Sequence, residues 1–97
     1  MHTIETKNGK ITLRLPNFTE AYLLIDELGL DREGVSYCKS VASLSSIADR
    51  YIEKISIKGA KEYADLLASP DYAEEVNTIL SEISNRLEAF SPKPASV

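Results

Sequence analysis

The side chains of this 97-residue chain that could do chemistry are few and widely spaced. Ser36, Ser40, Ser43, Ser45 and Ser46 precede Asp49, a grouping that suggests a hydrolase. A nucleophilic serine, however, needs a base placed to take its proton and a sharp turn to present its oxygen. No histidine lies near these serines, and no activating elbow surrounds any of them. His2 stands close to the N-terminus without a second ligand and reads as a surface residue. Asp26 and Glu27 are neighbours in sequence, so on a helix they diverge instead of forming an acid–base couple. Cys38 is a single thiol, which excludes an internal disulfide and a cysteine-based zinc site and fits a small core side chain. Arg50, Lys54, Lys58 and Lys61 are interleaved with Glu53 and Glu62 and have no glycine-rich phosphate loop beside them. That pattern fits a salt-bridged surface or a contact for an acidic partner better than a nucleic-acid patch. No catalytic, cofactor or metal site is expected.

The totals are those of one small folded domain. An apolar fraction of 43 % with 27 % charged residues argues against wholesale disorder. A chain of this length buries somewhat over ~60 % of its unfolded surface, enough for a single core. No apolar run approaches the ~20 residues of a membrane span. The N-terminal residues lack the layout of a secretory signal, so a cytoplasmic protein is expected. The net charge of −4 divides into +1 over residues 1–61 and −5 over residues 62–97. An acidic C-terminal half repels phosphate backbones and reads mainly as a solvated helix face.

The elements that must position these groups begin with a hairpin over residues 2–15. Asn8-Gly9 predicts a type I′ turn, which needs positive φ at both central residues. Ile11, Leu13 and Leu15 alternate with Thr12 and Arg14, giving one buried and one wet face, while Ile4 anchors the first strand. Two strands alone are marginal in water, so helices must cover the apolar face. Pro16 ends the strand. Asn17 or Thr19 can cap the helix that follows, with Glu20 well placed against its dipole. Phe18, Ala21, Tyr22, Ile25 and Leu28 repeat at helical spacing, Leu24 widens the stripe, and Gly29 suits the C-cap.

Residues 30–36 read as a connector. Tyr37, Val41, Leu44, Ala48, Tyr51 and Ile55 then follow helical steps, predicting a helix that is best defined from Leu44 to Lys54. Val35, Tyr37, Lys39 and Val41 also alternate as a strand does, so residues 35–43 are open to both forms. Ile55 to Gly59 reads as a short extended piece. Glu62 to Ala68 predicts a short helix with Tyr63, Leu66 and Leu67 inward. Ser69-Pro70-Asp71 marks a restart, with serine as cap and proline at the first helical position. The last helix, Pro70 to Phe90, carries Tyr72, Val76, Ile79, Leu80, Ile83, Leu87 and Phe90 on one stripe, with Glu74, Glu75, Glu82 and Glu88 mostly off it. Such a stripe serves as core, and part of it, Tyr72, Val76, Ile79, Ile83 and Leu87, is the candidate protein-binding surface. Residues 91–97, rich in proline and serine, read as a flexible tail. The expected architecture is an α+β domain over residues 1–90, an N-terminal β-hairpin packed against a small, mostly α-helical bundle.

Three stretches carry a resemblance: Gly9-Lys10-Ile11-Thr12-Leu13-Arg14-Leu15-Pro16, Tyr51-Ile52-Glu53-Lys54-Ile55-Ser56-Ile57-Lys58-Gly59 and Tyr63-Ala64-Asp65-Leu66-Leu67. In this order, over roughly residues 9–88, the chain resembles the small tail assembly chaperones of long-tailed bacteriophages. The resemblance implies a non-enzymatic phage or prophage protein in the bacterial cytoplasm that binds a tape-measure-like helical client and tail-tube subunits. It implies no cofactor, nucleic-acid or membrane partner, and it leaves a homo-oligomer open. The alternative from composition is a small acidic regulatory or adaptor protein that masks a protein partner.

Overall fold

The computed structural model describes the backbone of residues 2–28 and 37–90, with their side chains except those of Leu28 and residues 37–40. The fold is α+β. Strands β1 (His2–Thr6), β2 (Gly9–Leu13) and β3 (Ile52–Ile57) form one antiparallel sheet in the order β1-β2-β3. Helices α1 (Phe18–Leu28), α2 (Tyr37–Ala48), α3 (Tyr63–Leu67) and α4 (Ala73–Phe90) complete the domain, with single 3₁₀ turns at Asp49–Tyr51 and Pro70–Tyr72. Ile4, Ile11, Leu13 and Ile57 are buried on one face of the sheet, while Thr3, Glu5, Lys10, Lys54 and Ser56 are exposed on the other.

The hairpin forms, but its corner is one residue earlier than expected. Thr6 pairs with Gly9, so the two turn residues are Lys7 and Asn8. Neither has positive φ, whereas Gly9 beside them does, at 148°. A type I′ turn on Asn8-Gly9 is therefore corrected, and the reason lies across the sheet. A Cβ on Gly9 would stand 2.1 Å from the Ser56 carbonyl oxygen, so glycine is required where β2 meets β3.

The helix expected to run to Lys54 ends at Ala48, and Ile52–Lys54 belong to β3. Ile55–Ile57 are extended as expected, and the strand pairs with β2, which becomes the central strand of three where the expected sheet was a two-stranded hairpin. Pairing runs from Gly9–Ile57 through Ile11–Ile55 to Thr12–Lys54, then shifts so that Leu13 faces Ile52. The extra residue in that bulge is Glu53, whose carboxylate lies 3.9 Å from Arg14 Nε. The Arg14 amide continues the ladder to the Tyr51 carbonyl at 2.8 Å. Residues 37–43 are helical, which decides that part of the ambiguous segment. Residues 35 and 36, the connector, the Gly29 cap, the Cys38 side chain and the tail lie outside the described residues.

Asn17 is the cap of α1. Its Oδ1 accepts from the Glu20 amide at 3.0 Å, and Glu20 Oε1 accepts from the Asn17 amide at 3.3 Å, a reciprocal capping box. The buried face of α1 is rotated from the expected stripe. Ala21 and Leu24 are buried and Ile25 half-buried, whereas Phe18 and Tyr22 face solvent. In α3, Tyr63 and Leu66 turn inward, but Leu67 is exposed. The Ser69 hydroxyl accepts from the Asp71 amide at 3.2 Å, as its position before Pro70 predicts.

α4 is the hub, packing against α1, α2, α3 and β1. Ile79, Leu80, Ile83 and Leu87 are buried among the core side chains, with Tyr72, Val76 and Phe90 half-buried at its margin. At roughly 1.5–3 kcal/mol for each fully buried aliphatic side chain, this helix is a large apolar contribution to the fold, beside the buried face of the sheet.

Candidate functional site

The candidate binding stripe lies mostly inside the protein. Ile79, Ile83 and Leu87 are core residues, and Tyr72 and Val76 are partly covered. A client could not reach the central three without displacing the helices packed on α4. The face expected to serve both core and partner is thus largely used by the core, because α1, α2 and α3 all converge on it.

Exposed apolar surface occurs elsewhere, mainly along α1 beside half-buried Phe90 of α4, with Leu67 of α3 apart from it. Phe18 is 59 % exposed and Leu23 is 65 % exposed, with Tyr22 between them also open to solvent. The Phe18 and Tyr22 rings are tilted at a centroid separation of 4.8 Å, and Phe18 meets Phe90 edge-on at 5.8 Å. The Tyr22 hydroxyl donates to the Phe90 carbonyl at 3.0 Å, tying α1 to the end of α4. Arg86 extends over the Phe90 ring at 4.8 Å and donates through Nε to the Pro16 carbonyl at 3.0 Å. The aromatic group is therefore held in place without being covered. Helical spacing identified Phe18 and Tyr22 as apolar, but nothing in it could say that the buried arc would stop at Leu24. Arg86 was not singled out by sequence reasoning.

Below this patch two arginine–carboxylate forks fix α1 to the sheet and to the turn before β3. Arg14 makes two 3.2 Å hydrogen bonds to Glu20, and Arg50 makes two 3.1 Å bonds to Glu27. The Arg14 hydrogen bonds, followed by that from the Asn17 amide, hold the Glu20 carboxyl below its ordinary range. Arg50 does the same for Glu27. Arg50 is consequently part of a surface ion pair and not of a basic patch. Asp65 is also lowered, chiefly by the Lys61 and Glu62 amides that donate to it at 3.0 and 3.1 Å.

At the opposite end of α4, Glu75 is fully buried against the hairpin turn. Its Oε1 accepts from Asn8 Nδ2 at 2.6 Å, and its Oε2 has no hydrogen-bond partner among the described residues. Sequence placed Glu75 with the other acids on the wet side of α4, and only the fold reveals its burial. Of the described serines, Ser45 Oγ lies 2.9 Å from the Tyr63 hydroxyl, and Ser46 donates to the Ser43 carbonyl at 2.6 Å. Burial pushes the Tyr63 phenol up, with the Ser45 hydrogen bond opposing. His2 Nε2 sits 3.0 Å from the Glu82 carboxylate. Among the described residues no three histidine, cysteine or acidic side chains form a metal-binding group, and no helix is long and apolar enough to cross a membrane. A cleft of about 420 Å³ opens between α2 and α4, with Val41, Leu44 and Leu80 as its apolar part and Asn77, Ser81 and Asn85 along its polar side.

Comparison of the chain with protein-family models, with curated proteins and with solved structures finds no match.

Proposed function

We propose that this chain is a non-enzymatic protein-binding subunit of the tail-assembly-chaperone type. It acts in the cytoplasm of a bacterial host and holds a helical, tape-measure-like client for assembly with tail-tube subunits. The observation that carries the reading is the exposed Phe18–Tyr22–Leu23 face of α1, backed by Phe90. Rigid aromatic side chains left open to solvent suit the apolar face of an amphipathic helix, and aromatic anchors dominate interfaces of this kind. The phage setting rests on the resemblance of the stretches beginning at Gly9, Tyr51 and Tyr63.

The test is affinity capture with the tagged full chain from phage-induced cells, beside a Phe18→Ser/Leu23→Ser variant whose folding is checked by circular dichroism. Recovery of a long helical tail protein by the parent but not by the folded variant supports the proposal. Capture of a host regulator instead, with affinity falling steeply as the Debye length drops below ~10 Å, would transfer the reading to the acidic masking adaptor. Equal capture by parent and variant would remove the α1 face from the account.

A further inference from the structure

We propose that Asn8 is a deamidation site, and that its conversion turns the contact joining the hairpin to α4 from attraction into repulsion. Asn8 is half-buried at the hairpin corner and is followed by Gly9. Its neighbour has no side chain to shield the Asn8 amide carbon from the Gly9 nitrogen. Attack by that nitrogen, after its proton passes to water, forms a C–N bond to Asn8 Cγ and closes a five-membered succinimide ring. The Cγ–Nδ2 bond breaks, and Nδ2 takes up a proton and leaves as ammonia. Water then opens the ring at either carbonyl to give aspartate or isoaspartate. The net change is amide plus water to carboxylic acid plus ammonia, with no oxidation or reduction.

The structure gives this ordinary chemistry an unusual consequence. Nδ2, the atom that leaves, is the group donating to Glu75 Oε1 at 2.6 Å. Glu75 has no solvent exposure, and its other oxygen already lacks a partner among the described residues. An ionised carboxylate only accepts hydrogen bonds, so the product sets two acceptors face to face where a donor and an acceptor met. Removing one partner of a buried hydrogen bond leaves the other unsatisfied, which costs more than the bond itself contributed. The other contacts of the corner do not replace the lost donor. The Asn8 carbonyl accepts from the Lys58 amide at 3.3 Å, and the Asn8 amide donates to Thr6 Oγ1 at 3.3 Å. Lys7, the nearest cation in sequence, is paired with exposed Glu74 at 3.7 Å. Isoaspartate would also lengthen the backbone beside Gly9, where the chain runs tight against Ser56.

The chain carries its own comparators, because Asn17, Asn77 and Asn85 precede Phe18, Thr78 and Arg86. The experiment ages the full chain at mildly alkaline pH and follows all four sites by peptide mass spectrometry. Asn8 is expected to convert faster than the other three, and a rate no higher than theirs overturns the proposal. In parallel, Asn8→Asp is expected to lower the thermal midpoint, and Asn8→Asp/Glu75→Gln to recover it, since the introduced amide can donate to the new carboxylate. An Asn8→Asp midpoint equal to that of the parent, or a loss that Glu75→Gln does not relieve, overturns the repulsion. If Asn8→Asp does not fold, folding of the double variant supports the proposal and its failure overturns it.

Discussion

At its N-terminal end α4 holds Glu75 out of water against the hairpin turn, whereas at its C-terminal end Phe90 sits beside two α1 rings that face water. The two ends invert the usual placement of polar and apolar groups. Inside, the short Asn8–Glu75 hydrogen bond is the buried one of the polar contacts between hairpin and helix, at the cost of burying a carboxyl group whose other oxygen has no partner among the described residues. Outside, the rings are braced by Tyr22 and Arg86 yet left uncovered, which adds little to the fold and offers a surface. Departures from simple patterning of this sort are where a domain is expected to do something besides fold.

The middle of α4 sets the scale for testing that contrast. Ile79→Ala, at a fully buried position, should cost roughly 2–5 kcal/mol in urea unfolding. A cost near zero would mean that the stripe is an interface and not core. Glu75→Ala, which strands the Asn8 donor and leaves a void, should cost about 1–3 kcal/mol. Glu75→Gln keeps the acceptor for Asn8, removes the ionisable group, and should lose no stability. Loss from both would show that the carboxylate charge itself stabilises the clasp. At the aromatic end, Phe18→Ala should change stability by about 1 kcal/mol or less while weakening client capture.

Acid titration separates the surface forks from both ends. Glu20, Glu27 and Asp65 have folded values lowered from 4.5, 4.5 and 3.8. Their contribution is therefore present above the unfolded carboxylate range and is lost as pH falls through the lowered folded values. All three groups are exposed, so screening keeps the effect small. Arg50→Met should shrink the acid-side loss, read as the change in thermal midpoint between neutral and acidic pH. An unchanged slope would assign the loss to other carboxylates.

Local signals were legible in the sequence wherever a few neighbouring residues decide the outcome. Asn17 is one of the two caps that the sequence offered, and Ser69 before Pro70 and the stripe through Ile79 and Ile83 appear as read. The hairpin was legible but its corner was not, because Gly9 answers to Ser56, far away in sequence. The extended form of Ile55–Ile57 was legible, but the first half of β3 was obscured because Ala48, Tyr51 and Ile55 keep a helical step across the helix end. Its extended form comes from pairing with β2, a partner that local periodicity cannot see. Burial of Glu75 and exposure of Phe18 were hidden for the same reason. Each depends on how far a neighbouring element extends over α1 or α4, not on the residue's own position in a helix.

The order of the strands has a consequence for how the chain reaches this structure. β1 and β2 can zip together across Lys7 and Asn8 almost at once, but the other edge of β2 waits for β3, which follows two helices. Hairpins close in about 1–10 μs, while the second pairing must first meet the entropy of closing a much longer loop. During that interval β2 offers an unpaired row of amides and carbonyls carrying Ile11 and Leu13, a template for pairing with another chain. Refolding yield should therefore fall with protein concentration, and a peptide spanning Ile52–Ile57, added early, should compete for the waiting edge.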